Sequence, residues 1–85
     1  MSKADEMFLD YGNENEARKV SISNYLSYGE KSCVVTFYYS DSAEEIDFDG
    51  CFKFIRFSES TFDYKIIQAI NEKCKELNWL WVKKN

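Results

Sequence analysis

The chain contains no histidine and no proline, and its only glycines are Gly12, Gly29 and Gly50. Without histidine, the Ser-His and Cys-His nucleophile arrangements are unavailable. With so little proline and glycine, the chain is sparsely punctuated, and long regular elements are expected. Three cysteines are present, Cys33, Cys51 and Cys74, an odd number with no CxxC pair. They suggest neither a disulfide framework nor a zinc site. No glycine-rich phosphate loop occurs. No stretch approaches the ~20 apolar residues that span a bilayer. Residues 1–11 carry three acids and no apolar run, so they do not read as a signal peptide. The expectation is a cytoplasmic protein with reduced thiols.

Positive charge is also scarce. Eleven Lys and Arg face fifteen Asp and Glu, for a net charge of −4. The imbalance lies in residues 1–50, with eleven acids against four bases; residues 51–85 hold four acids against seven bases. Such a chain is a poor ligand for nucleic-acid phosphates and suits a basic protein partner. The bases of the second half form no known nucleic-acid motif, and Glu72 and Glu76 interrupt them.

What is present is ample for folding. The 85 residues suit one domain, and 45% are hydrophobic and 18% aromatic. "SKADEMFLDYG" predicts a short N-terminal helix capped by Ser2 and ended by Gly12, with Met7, Phe8 and Tyr11 on one side. Residues 13–19 read as a polar link. From Val20 the apolar period becomes two, which predicts a first strand over about 19–28. "SCVVTFYYS" predicts a second strand over 32–40, and a third follows over 44–57. Pairing Phe37 with Ile46 and Val35 with Phe48, then Ile22 with Phe37 and Val20 with Tyr39, puts apolar residues of both hairpins on one face. The reading is an α+β fold in which a three-stranded antiparallel meander buries one face.

The cover for that face is "STFDYKIIQAINEKCKEL". Phe62, Ile66, Ile70, Cys74 and Leu77 recur at helical spacing, predicting a helix over about 60–77 with Ser60 at its start and Asn78 at its stop. "WLWVKK" alternates and predicts a fourth strand over 79–84, reached by a crossover and lying parallel to its neighbour. Extension of the helical stripe through Trp81 is the alternative.

The stretch "EEIDFDG" has the opening of a calcium loop, with Glu45, Asp47, Asp49 and Gly50 at positions 1, 3, 5 and 6. Position 12, which needs a bidentate Glu, is Arg56. An Asp49-Gly50 hairpin turn would set Ile46 against Lys53 and Asp47 against Phe52, mixing apolar with charged residues. The remaining reading is a strand whose Ile46, Phe48, Phe52 and Phe54 point inward and whose Glu45, Asp47 and Asp49 form a carboxylate row outside. The parity slip at Ile55 and Phe57 then reads as a bulge or strand end. Such a row also keeps a strand soluble, so it is not functional by default.

Catalysis has little support. A flat row of carboxylates offers no cleft to desolvate one member and shift its pKa. Cys33 and Cys74 fall on core positions, and no motif lends Cys51 a redox role. The expectation is therefore a small acidic protein with no cofactor and no bound metal. It binds a macromolecule with a basic surface through Asp41, Glu44, Glu45, Asp47, Asp49, Tyr25 and Tyr38. Inhibitors, immunity proteins and small regulators of phages and mobile elements often have this size and acidity, which is an association of class. The alternative is a homo-oligomeric accessory subunit that pairs through a sheet edge or through Trp79 and Trp81.

Overall fold

The computed structural model describes residues 2–25, 32–49, 55–57 and 63–79, the backbone alone for 55–57. Two helices pack on one face of an antiparallel sheet. In chain order the elements are α1 (Lys3–Glu14), β1 (Lys19–Tyr25), β2 (Ser32–Tyr38), β3 (Ala43–Asp49), β4 (Ile55–Phe57) and α2 (Tyr64–Glu76). The sheet order is β1-β2-β3-β4, each strand antiparallel to its neighbour. This is the expected α+β meander with helical cover.

Helix α1 starts where Ser2 caps it, the side chain accepting from the Asp5 N–H at 3.1 Å. It does not end at Gly12. It runs on to Glu14 and closes in a Schellman motif, with Glu16 in the left-handed region (φ 65). The Ala17 N–H donates to the Gly12 carbonyl at 2.8 Å and the Glu16 N–H to the Asn13 carbonyl at 3.1 Å. Gly12 serves another purpose. A Cβ there would lie 2.6 Å from Val20 Cγ2 and 3.4 Å from Phe37 Cδ1. Glycine is what lets α1 approach β1 so closely.

Helix α2 is capped by Asp63, whose carboxylate accepts from the Lys65 N–H at 3.0 Å. The cap is thus three residues later than the expected Ser60; residues 60–62 lie outside the described residues. Its end is a second Schellman motif. Asn78 takes φ 64, its N–H donates to Lys75 at 3.1 Å, and the Trp79 N–H donates to Cys74 at 2.8 Å. The Asn78 stop is as expected.

Both hairpin registers sit two residues away from those inferred above. The structure pairs Val20 with Phe37, Ile22 with Val35, Val35 with Ile46 and Cys33 with Phe48. A shift of two preserves the side-chain face, so the core composition survives. Beneath the helices, Cys33, Val35, Phe37, Ile46 and Phe48 meet Phe8 and Tyr11 of α1 and Ile66, Ala69, Ile70 and Cys74 of α2. Each fully buried Phe contributes roughly 1.5–3 kcal/mol.

The third strand is a correction. It ends at Asp49, and by Ile55 the chain runs antiparallel to β3, pairing Phe48 with Ile55, Asp47 with Arg56 and Ile46 with Phe57. The parity slip at Ile55 marks a strand running the other way, not a bulge in a continuing one. The expected fourth strand over 79–84 lies, apart from Trp79, outside the described residues.

The two helices lie side by side and antiparallel, joined by charge. Lys73 is only 3% exposed. Its ammonium binds the Asp5 carboxylate at 2.6 Å and approaches Glu76 at 3.6 Å. Glu76 also accepts from the Ala4 N–H at 2.8 Å. At the far end Lys65 pairs with Glu14 at 2.8 Å.

Candidate functional site

The helices cover one face of the sheet, and no described element packs on the other. Strand alternation decides which residues point there. On β3 these are Glu45, Asp47 and Asp49, since Ile46 and Phe48 are buried between them. The row recognised in the sequence is thus formed. Successive carboxylates on one strand side lie about 6–7 Å apart.

The register places its neighbours. Glu45 lies opposite Thr36, Asp47 opposite Val34 and Asp49 opposite Ser32 on β2, with Ser21, Ser23 and Tyr25 beyond on β1. On the other side Asp47 lies opposite Arg56. The residue that spoils the calcium-loop pattern is therefore the cross-strand partner of its central acid. Glu45, Asp47 and Asp49 each interact within the chain, so the row is an engaged part of the sheet surface as well as an acidic one. Among the described residues no group of three or more potential metal ligands comes together.

The tyrosines stand at opposite corners. Tyr25 is 53% exposed at the end of β1 and Tyr38 is 41% exposed at the end of β2. Tyr25 is separated from Asp49 by Ser32 of β2. Tyr38 lies opposite Ala43, diagonal to Glu45, a spacing long side chains can bridge. Its ring carries the Lys19 ammonium 5.6 Å from the centroid. Lys19 belongs to this corner, and its pairing opposite Tyr38 is the signal that would have found it.

Two of the expected site residues separate from the row. Asp41 is exposed in the β2–β3 turn. Glu44 has the opposite parity to Glu45: it lies opposite the buried Phe37 and faces the helix side. There it lines a recess of about 320 Å³ with Tyr11, Asn15, Tyr39 and Ser42. Burial pushes the Tyr11 hydroxyl pKa up, and the charges of Asp63, Tyr39, Glu44 and Glu14 push it further. Burial and then Glu44 raise that of Tyr39.

Trp79, assigned above to an oligomer contact, is 4% exposed in the core. The Schellman turn aims it inward, where its ring meets Phe48 edge-on at 6.3 Å and 73°. This leaves it almost no surface to offer a second copy. Trp81 lies outside the described residues. Cys33 and Cys74 are buried free thiols. Burial pushes the Cys33 thiol up to about 12 against the opposing pull of Lys73, so it is a weak nucleophile. No helix among the described residues is long and apolar enough to cross a membrane.

Comparison with protein-family models, with curated proteins and with solved structures gave no significant match.

Proposed function

We propose that this chain is a small, non-catalytic, cytoplasmic protein that acts by binding a macromolecule with a basic surface. The contact face is the outer side of the sheet, centred on Glu45, Asp47 and Asp49 and bordered by Tyr25 and Tyr38. The single observation that carries the reading is that, among the described residues, cover is one-sided: both helices pack on the inner face, and the carboxylate row of β3 stands on the other. A flat strand face with three acids and two exposed tyrosines offers charge complementarity and rigid contact area. Small size, acidity and the absence of histidine fit an inhibitor, immunity or regulatory role, such as phages and mobile elements encode.

The test is affinity capture from the native host lysate with three baits. These are the wild type, a Glu45→Lys/Asp47→Lys/Asp49→Lys variant, and a control carrying Glu6→Lys and Asp10→Lys on α1. Partners retained by the wild type and control, released by salt, and lost by the triple variant at an unchanged melting temperature support the reading. The same partners on all three baits would sink it.

The alternative, pairing of two copies, draws on β1. Among the described residues this seven-residue strand is a sheet edge, paired to β2 alone. Light scattering separates the two readings: a dimer broken by a proline at Ile22 favours edge pairing.

A further inference from the structure

The recess between the last turn of α1 and the β2–β3 turn is a site distinct from the outer face, because Glu44 and Tyr39 stand on the helix side of the sheet. We propose that it binds a guanidinium group, the head of an arginine side chain presented by another molecule.

Three observations carry this. The first is the chemistry of the lining: Tyr11, Asn15, Tyr39, Ser42 and Glu44 supply a carboxylate, two phenols, an amide and a hydroxyl, and among the described residues no base lines it. The nearby Lys65 is already held by Glu14 at 2.8 Å.

The second is Tyr11 itself. It is 8% exposed and lines the recess, where its backbone carbonyl already accepts from the Asn15 amide at 2.9 Å. Its ring is fixed against Phe37, with centroids 5.4 Å apart. A phenol held this firmly at the lining of an open recess can accept from, or donate to, a group entering from outside.

The third is the field. Burial is the first cause of the raised Tyr11 pKa, and the charges of Asp63, Tyr39, Glu44 and Glu14 add to it, Glu14 being itself paired with Lys65. The carboxylates of Glu44 and Asp63 favour a cation over an anion in the recess. A guanidinium matches better than an ammonium. It is planar and weakly hydrated, with five N–H donors, and it can stack on a tyrosine while two donors engage one carboxylate. At about 320 Å³ the space lies at the lower limit for small-molecule sites and suits one side-chain head.

The experiment is an amide NMR titration with ethylguanidinium chloride at low millimolar concentration and constant ionic strength. Sodium chloride and n-butylammonium chloride serve as reference titrations. Saturable shifts are expected at Tyr11, Asn15, Tyr39, Ser42 and Glu44. Glu44→Gln, of equal size, should weaken the apparent Kd roughly tenfold by removing the charge-assisted bond. Tyr11→Phe keeps the ring packing and should weaken it by a smaller factor; it keeps the test decisive should Glu44→Gln fail to fold. Non-saturating shifts, shifts centred on Asp47 and Asp49, equal shifts with butylammonium, or indifference to both substitutions would overturn the proposal. Shifts centred on Asp47 and Asp49 would instead mark the outer acidic face as the cation site; the other outcomes leave the reading of that face untouched.

Discussion

Replacing Gly12 by alanine tests why that glycine is there. In an exposed helix interior the change would stabilise by about 1 kcal/mol, because alanine has the better helix propensity. Here the new Cβ would lie 2.6 Å from Val20 Cγ2, with Phe37 Cδ1 at 3.4 Å and Ala17 Cβ at 3.5 Å behind it. Val20 is β-branched, sits in a strand and has little rotamer freedom to yield. Overpacking of this kind costs about 1–3 kcal/mol, so the net loss should be about 1–2 kcal/mol. For a domain of this size each kcal/mol moves the melting temperature by about 4–8 °C. Urea unfolding followed by circular dichroism would measure it. The decisive arm is the double variant. Val20→Ala removes the obstructing methyl, so Gly12→Ala introduced into that background should become neutral or slightly stabilising. The cycle should show a coupling of about 2 kcal/mol. If glycine were needed at position 12 to end the helix, the penalty would persist without Val20. An additive cycle, or a stabilising single change, would refute the packing argument.

Other expectations follow from the same structure. Glu16→Gly should stabilise by roughly 1 kcal/mol, because a non-glycine residue in the left-handed region is strained. Asn78→Gly should gain less, since asparagine tolerates that region; equal gains in thermal melts would contradict this. Lys73→Met should cost about 1–3 kcal/mol, at the low end for a broken ion pair because Asp5 and Glu76 are reachable by water. Burial alone would lower the Lys73 pKa, but the Asp5 hydrogen bond and the Asp5 and Glu76 charges outweigh it and leave the pKa raised. Its contribution is therefore complete below the unfolded lysine pKa of about 10.4 and fades as pH rises through the folded value. The gap between wild type and Lys73→Met in urea midpoint should shrink above that pH, and a constant gap would count against the pairing. Cys33, held up at about 12 by burial, should resist a thiol reagent at pH 8 until the protein unfolds; mass spectrometry of the native reaction would expose an error.

The sequence carried face information more reliably than register. Alternation identified Cys33, Val35, Phe37, Ile46 and Phe48 as inward, and an error of two residues leaves that set untouched. Turn geometry alone would have corrected it. At Asp49 a two-residue turn opposes apolar residues to charges, which favours a strand continuing through Gly50. The actual pairing of Phe48 with Ile55 and Ile46 with Phe57 satisfies the same apolar criterion through a longer connection. Composition groups Glu44 with its acidic neighbours, but its parity with Ile46 puts it on the inner side. Lys73 looked like part of a solvated helix face. Yet it lies three residues beyond Ile70 and beside Cys74, on the stripe that became core. Only the position of α1, which one sequence does not reveal, supplies its partner Asp5.

The clamp between the helices has a consequence for how the chain is made. Ala4 and Asp5 find their partners 72 and 68 residues later, in Glu76 and Lys73. The hairpins of β1, β2 and β3 need only short loops and can close early, whereas contacts this distant close late. On the ribosome α1, carrying Phe8 and Tyr11, emerges before α2, whose Lys73 and Glu76 follow 68 and 72 residues after their partners. Until α2 follows, that apolar stripe is without its helical neighbour, so the earlier helix waits on the later one to complete its packing.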